Sequence, residues 1–233
     1  MHGQGCLNLG MTLHQLLDLA SQGEGLHLEF KLKLPEWDKL AREVVAFANT
    51  GGGWVLIGVD DDGRVSGLRD GREIQEAVWL NLAQYIHPEV ECSVSEIPIN
   101  AKKSVVAIEV FPSPKRPHRA LERPGFSDGN VGQALVRIAD CSVKASREMV
   151  EIMRFSSQGR SLKVEVGEKE FQLFRYMEDH DFVTIVEFSR LTGLSAKSAS
   201  NTLVHLVKGG LLSIEPQVTG MDHYVIAPTP AES

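Results

Sequence analysis

Apolar and polar side chains alternate strictly from Leu26 to Leu34. A period of two puts every second side chain on the same face of a strand, so the alternation predicts a half-buried β-strand. Pro35 ends this strand, and apolar residues then recur with a helical period as far as the sequence Asn49-Thr50-Gly51-Gly52-Gly53. We therefore expect an amphipathic helix that ends at these glycines.

Strand and helix patterns continue to alternate up to about residue 155. Strands that recur between helices, with a hairpin among them, predict an α/β or α+β domain, and we take α+β with a mixed sheet and covering helices as the fold class. The predicted segments are a strand at Trp54–Val59, a short return strand at Arg64–Ser66, a helix from about Arg72 to Ile86, strands near Cys92–Ile97, Ser104–Phe111 and Ala134–Ala139, and a helix at about Ser146–Phe155.

The pattern changes after a linker-like stretch of serine and glycine at residues 156–161. Residues 182–212 predict a helix, a short turn, a second helix and a Gly-Gly stop, and two strand-like segments follow. A helix, a helix-turn-helix and a β-hairpin in this order predict a C-terminal winged helix domain. We place the first domain at residues 1–155, a linker at 156–166, the winged helix-turn-helix domain at 167–228 and a tail at 229–233.

The second helix of the helix-turn-helix is a candidate for nucleic-acid contact. Ser195 is placed to cap this helix, and the segment from Ala196 to Lys208 contains no acidic residue. Short polar and basic side chains on its exposed side can reach base edges or phosphates, and they are Lys197, Ser198, Asn201 and Lys208. Residues 162–228 carry six Lys/Arg against nine Asp/Glu, so packing in a dimer without DNA contact is the alternative.

Composition restricts the partners of the chain. With 233 residues and a formal net charge of -7, the protein does not have the basic surplus with which a protein coats nucleic acid, so binding must come from local patches. No apolar run approaches the ~20 residues of a membrane helix. The three cysteines form neither a disulfide framework nor a zinc site, and no secretory signal is visible. We expect a cytoplasmic protein with no membrane partner.

A local basic patch is predicted between Lys102 and Arg123. It concentrates cations in a short proline-rich span of an otherwise acidic chain, which is typical of a phosphate-binding surface. A solvated hairpin whose prolines keep an edge open is the alternative. The candidate phosphate contacts are Lys115, Arg116, His118 and Arg119, with Arg137 as a neighbour.

Three segments of the chain arrive in an order that resembles the Schlafen AlbA-type domain. They are GEGLHLEFK at residues 23–31, VAFANTGGGWVLIGVDDDG at 45–63 and LVRIADCSVKASREM at 135–149. The resemblance covers about Thr12 to Phe155 and implies a DNA-binding or divergent AAA-like domain of the kind found in bacterial regulators. A winged helix after such a domain is a common arrangement in that family.

The resemblance also implies a metal-dependent nuclease as an alternative, since animal Schlafen proteins cleave RNA with two glutamates and an aspartate. These positions fall on Glu24, Glu29 and Asp60, with Asp61 as the neighbour of Asp60, and they would hold Mg²⁺ or Mn²⁺. Lys31, two residues after Glu29, is a candidate phosphate contact. A spacing of five puts Glu24 and Glu29 on opposite faces of a regular strand, so the glycines beside Glu24 would have to bend the chain.

Three functions follow from these observations. The first is a nucleic-acid-binding protein, a bacterial DNA-binding transcriptional regulator, for which DNA is favoured over RNA. The second is the nuclease, the only one of the three for which we predict a cofactor. The third is a non-enzymatic dimeric assembly module. Animal Schlafen cores join two related lobes, so a chain with one lobe is expected to form a homodimer.

Overall fold

The structure, a computed structural model, describes residues 11–160 and 162–228. Within these ranges the chain forms two compact units. The first unit consists of residues 11–113 and 118–142, and the second of residues 114–117, 143–160 and 162–228. The domain boundaries inferred from the sequence stay a prediction. The helix at Arg147–Ser156, which the sequence analysis assigned to the first domain, belongs to the second of these compact units.

The first unit combines helices with short strands. In chain order its elements are α1 (Leu13–Ala20), β1 (Leu28–Lys31), α2 (Trp37–Asn49), β2 (Gly53–Ile57), α3 (Gly71–Asn81), a 3-10 helix at Leu82–Tyr85, β3 (Ile86–His87), β4 (Cys92–Asn100), β5 (Lys103–Val110), β6 (Arg119–Ala120), β7 (Leu135–Ile138) and β8 (Cys141–Lys144), which the boundary between the units divides.

A four-stranded sheet in the order β1-β2-β5-β4 is the centre of the first unit. β1 runs parallel to β2, with Leu28 opposite Trp54, whereas β5 is antiparallel to both β2 and β4. Smaller two-stranded sheets pair β3 with β6 and β7 with β8. The sheet is therefore mixed, and the prediction of an α+β fold with a mixed sheet and covering helices is confirmed for this unit.

Both faces of the central sheet are buried. On one face Val55 and Ile57 of β2 pack in a cluster with the buried side of α2, including Val44. On the other face Phe30 and Leu56 belong to a cluster with α1. Burial on both sides explains why β2 is a continuous apolar run instead of an alternating one.

The first predicted strand differs most from its sequence pattern. The alternation spans Leu26 to Leu34, but β1 contains only Leu28–Lys31. Its expected solvent face is also covered, since Glu29 is 6% exposed. The pattern misleads here because a polar residue is buried wherever partners satisfy its charge, and such partners are described below.

Several smaller features also depart from the sequence expectations. α1 was not predicted, although Thr12 and Gln15 form a capping box at its start. α3 ends at Asn81 and continues as the 3-10 helix, and the expected return strand is a single bridge between Val59 and Val65. The end of α2 agrees with the glycine signal, because the N-H of Gly52, at φ +74°, donates to the carbonyl of Phe47.

The second unit contains four helices and one hairpin. Its elements are α4 (Arg147–Ser156), α5 (Glu168–Met177), α6 (Ile185–Thr192), α7 (Ala196–Lys208), β9 (Leu212–Glu215) and β10 (His223–Ile226). β9 and β10 pair antiparallel, with Leu212 opposite Ile226. The order of α5, α6, α7 and the hairpin agrees with the sequence pattern, while its assignment to the winged helix class stays a prediction.

Local signals explain the path of the chain around α6 and α7. Gly193 ends α6 in the left-handed conformation at φ +66°, and the side chain of Ser195 accepts from the N-H of Ser198 to cap α7. The buried side of α7 packs with Phe188 and Tyr224 in one apolar cluster. Every helix in the described part of the chain is too short or too polar to cross a membrane.

Candidate nucleic-acid interface

Arg137 on β7 lies in the interior of the first unit instead of on its surface. Its side chain is fully buried, and Nη1 donates to Glu29 Oε2 at 2.8 Å and to Glu43 Oε2 at 3.1 Å. Nη2 donates to the carbonyl of Gly25 at 2.7 Å, and the guanidinium lies 4.7 Å from the centre of the Phe47 ring. A buried cation needs such partners. Arg137 therefore ties β1, α2 and β7 together, which differs from its predicted place beside a phosphate-binding patch.

Glu29 is held by two cations at once. Its second oxygen, Oε1, accepts from Lys31 Nζ, while Oε2 accepts from Arg137. Lys31 was predicted to contact a phosphate, and in this structure its ammonium group contacts a carboxylate of its own strand. Both residues therefore contribute first to a local ion-pair network, in which Ser142 and Glu43 also hydrogen bond.

Glu24 approaches this network from the turn before β1. The chain bends at Gly23, which has φ +77°, and an isolated bridge pairs Gly25 with Leu28. Glu24 Oε1 accepts from the N-H of Phe30 at 2.8 Å. Burial raises the pKa of the Glu24 carboxyl, and the negative charges of Glu29 and Asp61 raise it further, whereas the Phe30 hydrogen bond and Lys31 lower it. The glycine bend thus brings Glu24 and Glu29 into electrostatic contact despite their odd spacing.

The two aspartates after β2 differ in their surroundings. Asp60 is half-buried, and its Oδ2 accepts from the hydroxyl of Ser66 at 3.3 Å. Asp61 is exposed and is the aspartate whose charge acts on Glu24. Of the predicted trio, only Glu24 and Glu29 interact electrostatically, because Asp60 contacts Ser66 in the loop that follows it and the aspartate whose charge acts on Glu24 is Asp61.

His118 is a structural residue of the first unit. It is fully buried, and its backbone N-H donates to Asn49 Oδ1 at 2.8 Å. The ring Nδ1 lies 2.8 Å from the carbonyl of Pro88, and Nε2 lies 2.6 Å from the hydroxyl of Ser113. A carbonyl can only accept, so Nδ1 carries a hydrogen and donates to Pro88, while Nε2 hydrogen bonds with the hydroxyl of Ser113. This burial differs from the predicted phosphate contact.

The rest of the predicted basic patch is divided between the two units. Arg119 is half-buried and donates to the carbonyl of Gly132 at 3.2 Å, and exposed Arg123 donates to that of Gly129 at 3.4 Å. Both belong to the first unit, whereas exposed Lys115 and half-buried Arg116 belong to the second. The basic span between Lys102 and Arg123 was predicted as one patch, but its cations are divided between the two units.

A different group of cations in the first unit surrounds an open cavity of about 590 Å³. Leu68 and Ser104 exchange two backbone hydrogen bonds, which brings the loop before α3 to the turn between β4 and β5. The cavity is lined by Arg69, Asn100, Lys102 and Lys103. The sequence predicted the two lysines as part of a basic patch but did not predict Arg69. That arginine lies beside them because Leu68 pairs with Ser104, which is far away along the chain.

α7 presents a polar face to solvent. Lys197, Ser198 and Asn201 are exposed, whereas Ala199 and Leu203 point into the core. The helix periodicity alone predicts this division. Three of the four predicted contacts on α7, Lys197, Ser198 and Asn201, therefore lie within about one helical turn on the exposed face. Lys208 does not belong to this group.

Lys208 lies on the side of α7 that faces α4. Its ammonium group pairs with Glu151 and lies 5.5 Å from the centre of the Phe155 ring. Ser200 donates to Glu148 of the same helix at 2.6 Å. Lys208 is thus used within the second unit, a role that the local sequence could not indicate because α4 is about fifty residues away.

A family model described as Schlafen, AlbA_2 matches residues 24–146, more than half of the chain. The chain belongs to the Schlafen AlbA_2 family. The comparison with curated proteins finds no match. The match begins at Glu24 and ends before α4, so it contains the ion-pair network of Arg137 but not α7.

Two solved structures are similar to parts of this Schlafen AlbA_2 protein. The N-terminal domain of a RecG-related protein from Nitrosomonas europaea is 24% identical over 50% of this chain and 86% of that domain, with a TM-score of 0.39. The DIP2311 protein from Corynebacterium diphtheriae is 19% identical over 66% of this chain, with a TM-score of 0.40. The match spans only 29% of that second protein. At these TM-scores neither structure supports a conclusion about the function of this chain.

The carboxylates of this Schlafen AlbA_2 domain do not fit the metal that the resemblance implies. Mg²⁺ and Mn²⁺ need several oxygen ligands around one point. Both oxygens of Glu29 are engaged by cations, and Asp60 contacts Ser66. Among residues 11–160 and 162–228 no three His, Cys, Asp or Glu side chains are grouped so that they could hold a metal ion. The geometry favours an ion-pair network at Glu29 over a metal centre.

Proposed function

We propose that the protein binds nucleic acid and acts as a DNA-binding transcriptional regulator of the bacterial type, in which α7 contacts duplex DNA. The observation that carries the proposal is the exposed polar face of α7. Lys197, Ser198 and Asn201 lie on this face, and the helix contains no acidic residue in a chain of net charge -7. A helix without acidic side chains adds no negative charge of its own to repel phosphates.

The chemistry of these side chains suits the major groove, which is wide enough to admit an α-helix. An asparagine amide can donate to N7 and accept from N6 of adenine in a bidentate contact, and a lysine can pair with a phosphate or with guanine. Asn201 and Lys197 lie one turn apart on α7, so both can face the same stretch of groove. We assign base contact to Asn201 and a phosphate or guanine contact to Lys197.

The hairpin after α7 supports the assignment to the winged helix class. β9 and β10 pair antiparallel, and exposed Val218 and Met221 lie in the connection between them. In a winged helix protein such a connection lies beside the second helix of the helix-turn-helix and contacts the DNA backbone. We propose this role for the β9–β10 connection.

The first unit offers a separate candidate phosphate contact at the cavity of Arg69, Lys102 and Lys103. Lys103 Nζ donates to the carbonyl of Ser66 at 2.7 Å, which fixes one of the three cations. We propose that this cavity holds a backbone phosphate. Its contribution is expected to be independent of sequence, because phosphate contacts position a protein without selecting bases.

The test uses the full chain and duplex DNA. Sequences enriched from a random duplex pool are measured by fluorescence anisotropy against the parent, Lys197→Glu and Asn201→Ala. We expect Lys197→Glu to weaken binding at least about tenfold, and Asn201→Ala to cost about 1–3 kcal/mol and to relax preference at one base pair. Lys39→Glu makes the same charge change at an exposed position of α2 and serves as the control. Binding by both α7 variants equal to that of the parent would remove α7 as the contact surface.

The same reactions test the two other functions inferred from the sequence. Metal-dependent cleavage of labelled RNA or DNA that is lost in Glu24→Ala would replace the regulator with a nuclease. Binding of neither duplex nor single strands would favour an assembly module. A homodimer is proposed because two copies of α7 would contact two half-sites of one duplex, and a monomeric mass in light scattering at working concentration would contradict it.

A further inference from the structure

Two aromatic side chains in the first unit stack on each other although both are exposed to solvent. The rings of His87 and Phe126 stack with centres 3.8 Å apart and planes 19° from parallel. His87 is exposed on β3, and Phe126 is 49% exposed on the loop after β6. A single exposed apolar side chain is ordinary in a folded protein, but two exposed rings stacked on each other form an aromatic surface, so the pair is a candidate binding surface.

The loop that carries Phe126 is held in place by a buried asparagine. Asn130 is 7% exposed, and its side-chain amide donates to the carbonyls of Arg123 at 2.7 Å and Gly125 at 2.8 Å. The N-H of Gly125 donates to the carbonyl of Gln84 at 2.9 Å, which fastens the loop to the 3-10 helix. Phe126 is therefore positioned before any partner binds, which lowers the entropic cost of binding.

An open cavity of about 460 Å³ lies beside this aromatic pair. Its walls combine the two rings with aliphatic side chains and with glycine and proline of the loop, and they are formed by Ala83, Gln84, Ile86, His87, Leu121, Pro124, Gly125 and Phe126. The volume is within the range of small-ligand sites, and polar and apolar surfaces line the cavity in nearly equal parts. A flat, partly apolar group with polar edges fits these walls.

The charges near the pair indicate how such a group would be attached. Arg119 on β6 is the cross-strand partner of His87, and Arg123 lies in the loop before Phe126. The same loop contains the exposed acids Glu122 and Asp128. Cations and acids are balanced, so attraction to a bare phosphate backbone is weak, and stacking must supply most of the affinity.

We infer that His87 and Phe126 form a stacking site for an unpaired base of single-stranded nucleic acid. Every base has an aromatic face, and stacking on a protein ring is largely independent of sequence. Arg119 lies where it can meet the phosphate next to the stacked base. The inference rests on the proposed function only in taking nucleic acid as the class of partner. The surface is a different one, and the bound strand is unpaired instead of duplex.

The experiment compares single strands with and without bases. Fluorescence anisotropy is measured with a labelled oligo-dU, an oligo-rU and an abasic strand of the same length and charge. We expect both base-bearing strands to bind, the abasic strand to bind at least about tenfold more weakly, and Phe126→Ala to remove that difference. The dU and rU strands carry the same base, so a preference between them would identify the source of the base as DNA or RNA.

Matched variants separate stacking from loss of fold. Phe126→Trp keeps an aromatic face and should bind like the parent, with indole emission that is quenched when a base stacks on it. Phe171→Ala removes a phenylalanine of α5 that is 66% exposed and should have no effect. Equal binding of the abasic and base-bearing strands, or parental affinity in Phe126→Ala, would overturn the inference.

The outcome is distinguishable from that of the duplex experiment. Lys197→Glu should lose duplex binding and keep binding of single strands, while Phe126→Ala should do the opposite. Duplex binding by the parent without binding of single strands would refute the stacking site alone. Binding of single strands without duplex binding would refute the proposed role of α7 alone.

Discussion

The ion-pair network around Arg137 and the exposed face of α7 use charged and polar side chains in opposite ways. In the network, Arg137 and Glu29 are withdrawn from water, and each charge is compensated by a partner within the first unit. On α7, Lys197 and Asn201 face solvent. Residues of the first kind are expected to contribute to the stability of the domain, and residues of the second kind are available to a ligand.

The difference matters for how the charged residues of this chain are interpreted. Arg137, Lys31 and His118 looked like phosphate contacts in the sequence, but all three contact groups of their own unit. A buried charged residue costs stability unless it is paired, so its partners in the fold take precedence over a ligand. Substitutions in the two regions should therefore affect different measurements.

The largest expected effect is that of Arg137→Met, which breaks the network. Methionine keeps much of the aliphatic stem but removes the cation that buried Glu29 and half-buried Glu43 share, and it leaves Glu29 with Lys31 alone. We expect the free energy of unfolding of the first unit to fall by about 3–5 kcal/mol. Urea unfolding followed by circular dichroism measures the change.

A matched control for Arg137→Met is Arg42→Met at an exposed position of α2, where the change should stay within about 0.5 kcal/mol. Adding Glu29→Gln to Arg137→Met should recover part of the loss, because the double variant no longer buries a carboxylate that has lost one of its two cations. A loss below about 1 kcal/mol in Arg137→Met would mean that the network contributes little to folding.

A smaller effect is expected from Ser195→Ala, which acts on α7. The variant removes the side-chain oxygen that accepts from the N-H of Ser198 and should cost about 1 kcal/mol of stability in the second unit. Duplex DNA binding should weaken less than in Lys197→Glu, because the contact residues themselves remain. Thermal unfolding and anisotropy check both parts.

Ser195→Thr keeps a capping oxygen and is the control for the alanine variant. It should retain nearly all of the parental stability. If the threonine variant is destabilised as much as the alanine variant, the cap is not the cause of the loss.

The features that the sequence predicted are those controlled by near neighbours. α7 was expected from its helical period and from Ser195 and Gly193, and the division of its exposed and buried faces follows from the same period. The end of α2 was likewise predicted from local glycines. These signals act within a few residues, so they can be interpreted without knowledge of the fold.

The features that the sequence could not predict depend on residues far apart in the chain. Buried Glu29 is paired with Arg137, which is 108 residues away, and the buried ring of His118 hydrogen bonds with the carbonyl of Pro88, which is 30 residues away. Alternation in the first strand predicted a solvated Glu29, and no local pattern identifies its distant partner. Glu43 on α2 was missed for the same reason.

The smallest expected effect on stability is that of Glu24→Gln, which tests whether Glu24 lies at the edge of the ion-pair network. Burial raises the pKa of the Glu24 carboxyl above its value in the unfolded chain, so the folded state holds the proton more tightly. Ionisation therefore disfavours the folded state, and this cost grows as the pH rises from the unfolded pKa through the folded pKa. Glu24→Gln removes the cost while its amide oxygen can still accept from the N-H of Phe30.

We expect Glu24→Gln to be slightly more stable than the parent at pH 7, with the advantage shrinking as the pH falls and disappearing below about pH 4, where the carboxyl becomes protonated in the unfolded as well as the folded state. Urea midpoints measured across this pH range check the sign. Glu36→Gln, an exposed position before α2, should show no comparable change. Destabilisation of Glu24→Gln at pH 7 would mean that the negative charge of Glu24 stabilises the fold, which would place Glu24 inside the network with Glu29 instead of at its edge.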